Sequence, residues 1–150
     1  MNPGAHRVSS TAGIVLAIFG ASAVALGAFG AHALRGTLSP QQARIWHTAV
    51  QYHFWHTLAF ALAVMISRSC ERCGQDDRLL TVALRKSAPA FAARAAAWLF
   101  AAGVPLFCGS LYALALGAPN WTGAMTPLGG VCFILGWIAL GFALMRTTNP

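Results

Sequence analysis

Charge is what this chain has least of. Of its 150 residues 9% are charged, against about 25% in a soluble domain. Three residues are acidic, and all of them, Glu71, Asp76 and Asp77, fall in one short stretch. The long apolar runs therefore hold no carboxylate, which removes the ferritin type of bundle site, where helix glutamates accompany the histidines. No nucleophile, base and acid form a complete set, so a hydrolase has no footing. The chain shows no low-complexity tract and no internal repeat, which speaks against a transporter built from inverted repeats. The pair Gly129–Gly130 is followed by no lysine and opens an apolar run, so it is not a phosphate loop.

What fills the chain instead is apolar sequence, 57% of it. Four stretches meet the length of about 17–25 residues that a spanning helix needs. They are residues 11–34, 45–66, 95–116 and 127–145, and none contains Asp, Glu, Lys or Arg. The expected fold is an all-α integral membrane bundle of four transmembrane helices, a single domain over residues 1–150. Arg7, the first apolar run and the "AHA" at Ala31–Ala33 imitate a signal peptide. Signal cores are about 7–15 residues long, and this run is longer, so a retained helix is the expectation.

The net charge of +7 reads as a topology signal and not as a nucleic-acid surface. With four spans, the N-terminus, the middle loop and the C-terminus share one side. That side carries Arg7, Arg68, Arg72, Arg78, Arg85, Lys86, Arg94 and Arg146; the other carries Arg35 and Arg44. The positive-inside rule then puts both termini in the cytoplasm, with the remaining basic residues available to anionic headgroups.

Between the spans the signals are local. In "SPQQ", Ser39 can cap a helix, Pro40 suits its first position and Gln42 falls three after the cap, so the second helix is expected to start near Pro40. In the middle loop, residues 67–90, "LLTVAL" at 79–84 reads as a short surface helix that Pro89 ends. Cys70 and Cys73 in "CERC" face a reducing compartment, so no disulfide is expected, and two ligands fall short of a structural zinc. Cys108 and Cys132 read as small apolar residues. Pro105 interrupts the third span and is expected to kink it, with Ser110 near enough to re-satisfy freed backbone. Trp121 suits a headgroup boundary.

Small residues recur at helical spacing: Ala23, Gly27 and Ala31 in the first span, Gly109 and Ala113 in the third, Gly129 and Gly136 in the fourth. In lipid such positions let helix backbones approach, and helix packing is their expected role.

The segment "YHFWHTLAF", residues 52–60, places two ionisable side chains inside a span. At about 100° per residue, Ala49, Tyr52, His53, His56 and Thr57 share one arc, while Phe54, Leu58, Ala61, Leu62 and Met65 take the opposite one. The first arc should face the bundle interior. His47 falls opposite His56, at the outer interface, and Gln51 falls towards lipid. His32, Tyr52, His53, His56, Ser110 and Tyr112 form the candidate polar intramembrane cluster. His56 is expected to find a hydrogen-bond partner on the first, third or fourth span, with Tyr112, Ser110 or a carbonyl freed near Pro105 foremost. Three readings stand open. The histidines bond helices together, or hold a metal or haem, or line a path for protons or small solutes. No cofactor is implied by a complete ligand set. The partners expected are the lipid bilayer and a membrane protein or second copy of the chain.

Four segments, Ala25–Leu34, Tyr52–Ala59, Leu106–Leu116 and Thr126–Leu140, together resemble the YgdD-like family of small four-helix bacterial inner-membrane proteins of unknown function. His32 and His56 match the family pattern; His53, the middle loop and "CERC" depart from it. The resemblance implies a multi-pass protein of the bacterial inner membrane. It brings no activity, cofactor or agreed site residues.

Overall fold

In a computed structural model, residues 3–74 and 80–148 are described, with side chains for 11–70 and 88–146. The elements are α1 (Pro3–His32), α2 (Pro40–Gly74), α3 (Leu80–Gly103), a π-helical turn (Val104–Gly109), α4 (Ser110–Ala115), a 3-10 turn (Asn120–Ala124) and α5 (Met125–Thr148). No strand occurs among the described residues. Four stretches are long and apolar enough to cross a membrane: Thr11–His32, Pro40–Cys70, Ala88–Ala115 and Asn120–Arg146. Each helix satisfies its own backbone, the condition for spanning hydrocarbon. The third span is composite, with α3, the π-helical turn and α4 following one another without a break.

α2 starts where its cap requires. The Ser39 amide donates to Gln42 Oε1 (2.9 Å) and the Gln42 amide to Ser39 Oγ (3.3 Å), a reciprocal capping box. Gly36 and Gly117, at φ of 80° and 90°, occupy the left-handed region that suits glycine in the two short connections.

α2, α3 and α5 form the core, with α1 laid against α2. Phe60 and Ala63 of α2 meet Ala96, Ala97 and Phe100 of α3 and Phe133 and Leu140 of α5. Alanines supply much of the buried surface, so the backbones lie close. The opposite faces are apolar and exposed: Leu58, Leu62 and Met65 on α2, Ile134 and Ile138 on α5, Ile14 and Ile18 on α1. Such inversion is expected where the surrounding solvent is lipid.

Two expectations about proline need correction or refinement. Pro89 does not end a surface helix. It lies inside α3, where it is buried beside Ala90, Ala92 and Ala93, and that packing keeps the helix going despite the missing donor. Leu79 lies outside the described residues. The disturbance expected at Pro105 takes the form of the π-helical turn, and Ser110 Oγ donates back to the Phe107 carbonyl (2.9 Å).

Of the packing positions, Ala23 is buried, and a Cβ on Gly27 would touch Val50 Cγ1 at 3.4 Å. Gly129 seats against the backbone of Phe107 and Gly136 against the Phe100 ring. Ala113 is half-buried. Ala31 and Gly109 do not serve as close contacts: Ala31 is exposed, and a Cβ on Gly109 would meet no atom within 4 Å. The π-helical turn ends at Gly109 and turns it away from α2 and α5. Two close contacts had no counterpart in the small-residue spacing, Gly30 against the Trp46 indole and Gly103 against the Phe133 ring.

Candidate functional site

The arc of α2 read from the helical wheel is the arc that α2 turns inward. His53, His56 and Thr57 are buried and Ala49 is fully so, whereas Phe54, Leu58, Leu62 and Met65 are exposed. His47 and Gln51 are also exposed.

The two histidines share a helix face and have different surroundings. His56 faces α5. Its ring lies flat on Phe133, centroids 3.5 Å apart and planes 10° apart. Tyr52 covers its next turn, and Tyr52 in turn stacks on Phe107 of the π-helical turn (4.8 Å, 23°). His56 Nδ1 lies 2.8 Å from the Tyr52 carbonyl, and the Trp137 indole Nε1–H donates to His56 Nε2 at 3.3 Å. A carbonyl only accepts and an indole N–H only donates. The pair therefore fixes His56 as the neutral form with its proton on Nδ1.

His53 faces α1 and α4. Its Nε2 lies 3.4 Å from Ser22 Oγ and its Nδ1 3.4 Å from the Tyr112 hydroxyl. The single Ser22 proton points to carbonyls of its own helix, Ile18 at 2.7 Å and Phe19 at 3.1 Å. Ser22 thus accepts from His53 Nε2–H, and Tyr112 donates to Nδ1. The two rings hold opposite neutral tautomers. Phe19 meets the His53 ring edge-on at 5.8 Å, and Thr57 Oγ1 donates to the His53 carbonyl (2.7 Å).

Of the six cluster residues, Tyr52, His53, His56 and Tyr112 come together through these contacts. Ser110 is buried beside them but pairs with Thr126 Oγ1 of α5 (2.7 Å). His32 stands exposed at the end of α1, outside the group. His56 does find a partner on the fourth span, Trp137, besides Tyr52 of its own helix; Tyr112 and Ser110 are the expected candidates it does not meet, because the ring is turned to α5 and not to α4. Ser22, Thr126 and Trp137 were missed. Ser22 is a hydroxyl inside the first apolar stretch and Thr126 immediately precedes the fourth, the only signal the sequence held for them; Trp137 reads as one more apolar side chain.

Among the described residues no three of His, Cys, Asp and Glu gather at one point. The ring nitrogens of both histidines already meet partners inside the bundle, and the rings point to different helices. The rings of Tyr52, Phe100, Phe133 and Trp137 surround His56, and an open groove lined by Trp55, His56, Leu58, Ala59, Leu62 and Trp137 borders it.

A family model described as protein of unknown function (DUF423) matches residues 26–130, a stretch that holds α2, the composite third span and the start of α5. The chain belongs to the DUF423 family. A UPF0382 membrane protein of Bacillus subtilis (strain 168), YwdK, is 38% identical over 124 residues, covering 83% of this chain and 87% of its own. The UPF0382 membrane protein SERP0230 of Staphylococcus epidermidis (strain RP62A) is 37% identical over 124 residues, 83% and 86% of the two chains. A UPF0382 membrane protein of Haemophilus influenzae (strain Rd) is 34% identical over 135 residues, 90% and 94% of the two chains. No solved structure matches. The DUF423 chain is thus a membrane protein with four apolar helices, from a family with no assigned activity, and both buried histidines lie inside the matched stretch.

Proposed function

We propose that this DUF423 protein is a non-enzymatic structural or accessory component of an assembly in the bacterial inner membrane. One observation carries the reading: the side chains best suited to chemistry are committed to joining helices. Among the described residues every buried side-chain nitrogen or oxygen has a hydrogen-bond partner. His53 links α1 to α4 and His56 links α2 to α5. A site for turnover keeps at least one such group directed at its substrate.

Four further points belong to this reading. The bacterial relatives support the inner membrane. The eight-to-two distribution of basic residues supports cytoplasmic termini. The resemblance of the quoted segments supports a place beside the YgdD-like members. A membrane protein or a second copy of the chain is the partner, reached through the lipid-facing helix surfaces.

The test is a photo-crosslinker at the exposed α1 positions Ile14, Ile18 and Val24, in cells at native expression, followed by purification in mild detergent. The expected result is a discrete adduct of defined mass at the same positions in every preparation. A lone, monodisperse protein that forms only lipid adducts and shows turnover or transport after reconstitution would overturn the proposal.

A further inference from the structure

The two buried histidines differ in what their partners can do when a proton arrives. At His56 both partners are chemically fixed. The Trp137 indole has a donor and no acceptor, and the Tyr52 carbonyl has acceptors and no donor. Protonating Nε2 would set one N–H against another at 3.3 Å and break the link from α2 to α5. Phe133 lies flat on one face of the ring.

At His53 both partners are hydroxyls. The Ser22 oxygen already accepts from Nε2–H. The Tyr112 hydroxyl can rotate from donor to acceptor, because a phenol does both. Both contacts are long, 3.4 Å, and charge-assisted hydrogen bonds contract to about 2.7–2.9 Å.

We infer that His53, and not His56, is the site at which this bundle takes up a proton, and that the proton draws α1 and α4 together across the His53 ring. A proton from water adds to Nδ1. The Tyr112 O–H swings away from the ring and its oxygen accepts the new N–H. Ser22 of α1 goes on accepting from Nε2–H. Among the described residues, Phe19 and Ser22 of α1 and Tyr112 of α4 face the His53 ring, Cys108 of the π-helical turn lies about one helical turn from Tyr112, and Thr57 of α2 bonds the His53 carbonyl. None is a carboxylic acid or a permanent cation. The inference stands apart from the accessory role, since it concerns the bundle's own chemistry.

The test is nitrogen-15 magnetic resonance of the histidine-labelled full chain in phospholipid vesicles, from about pH 8 to about pH 5, where histidine ordinarily titrates. His53→Gln and His56→Gln assign the two buried rings. The expected spectrum at the upper end shows His53 protonated on Nε2 and His56 on Nδ1. On acidification His53 becomes doubly protonated first, and His56 keeps its neutral signature. Tyr112→Phe removes the reversible acceptor and should move the His53 transition to lower pH without affecting His56. Trp137→Phe removes the opposing donor and should let His56 protonate at higher pH than before. Identical tautomers, protonation of His56 ahead of His53, or an unmoved His53 transition in Tyr112→Phe would each overturn the inference. The wild-type spectrum decides the first two even if a variant does not fold.

Discussion

A single methyl group on Gly136 should measurably loosen the bundle. A Cβ built there stands 2.7 Å from Cε1 of Phe100, 3.0 Å from Cδ1 and 3.1 Å from Cζ. Phe100 cannot simply swing aside. It is fully buried, and its ring is held by Trp137 at 5.5 Å and His56 at 5.9 Å. Gly136→Ala must therefore push α5 off α3 or displace three rings together, and overpacking of this kind costs about 1–3 kcal/mol. At about 2–4 °C per kcal/mol for a chain of this length, the unfolding midpoint should fall by roughly 2–12 °C. Gly129→Ala should do more, because the obstacle is the Phe107 backbone, which has no rotamer to change. Gly109→Ala is the control: it lies in a span, yet its Cβ would meet nothing within 4 Å. The assay is thermal unfolding in mild detergent, followed by tryptophan fluorescence. Equal midpoints for Gly136→Ala and Gly109→Ala would refute the packing of α5 on α3 described above.

Three other outcomes are expected. Ser39→Ala removes half of the capping box and should cost about 0.5–2 kcal/mol, seen as faster hydrogen exchange in the first turn of α2 and unchanged exchange in its buried middle. His56→Leu removes the acceptor for Trp137 and should cost on the order of 1 kcal/mol, while His56→Gln, which can still accept one hydrogen bond, should recover most of the lost midpoint; equal losses in the two would show that the bond contributes nothing. For topology, a membrane-impermeant thiol reagent applied to intact spheroplasts should label Arg35→Cys and leave Cys70 unlabelled until the cells are opened, and the reverse pattern would invert the proposed orientation.

The parts of the fold set by short-range chemistry were legible in the sequence. Unbroken apolar length marks the four spans, and the Ser39–Gln42 spacing marks the start of α2. The inward arc of α2 follows from helical periodicity, because polar side chains in a span favour the bundle interior, with exposed Gln51 an exception on this helix. What failed depends on contacts between distant segments. Proline chemistry alone makes Pro89 a helix end; buried alanines around it keep α3 continuous. Spacing alone makes Gly109 equivalent to Gly136, but the π-helical turn changes the facing of one and not the other. The wheel shows that His56 points inward and says nothing of which helix it meets, so Trp137 could not be found from it. Ser22 and Thr126 illustrate the same limit, since a hydroxyl in an apolar stretch can always bond its own backbone, as Ser22 also does.

The widened turn at Val104–Gly109 gives the third span a tolerance of length that the others lack. In an ordinary helix one residue more or less rotates everything beyond it by about 100°. A π-helical turn winds one extra residue into nearly the same rotation, so a deletion within it that restored ordinary winding would leave Ser110 and Tyr112 facing much as they do now. The same deletion in α5 ahead of Trp137 meets no such slack and would turn Trp137 away from His56. Relatives one residue shorter in this turn should therefore keep the same groups meeting inside the membrane.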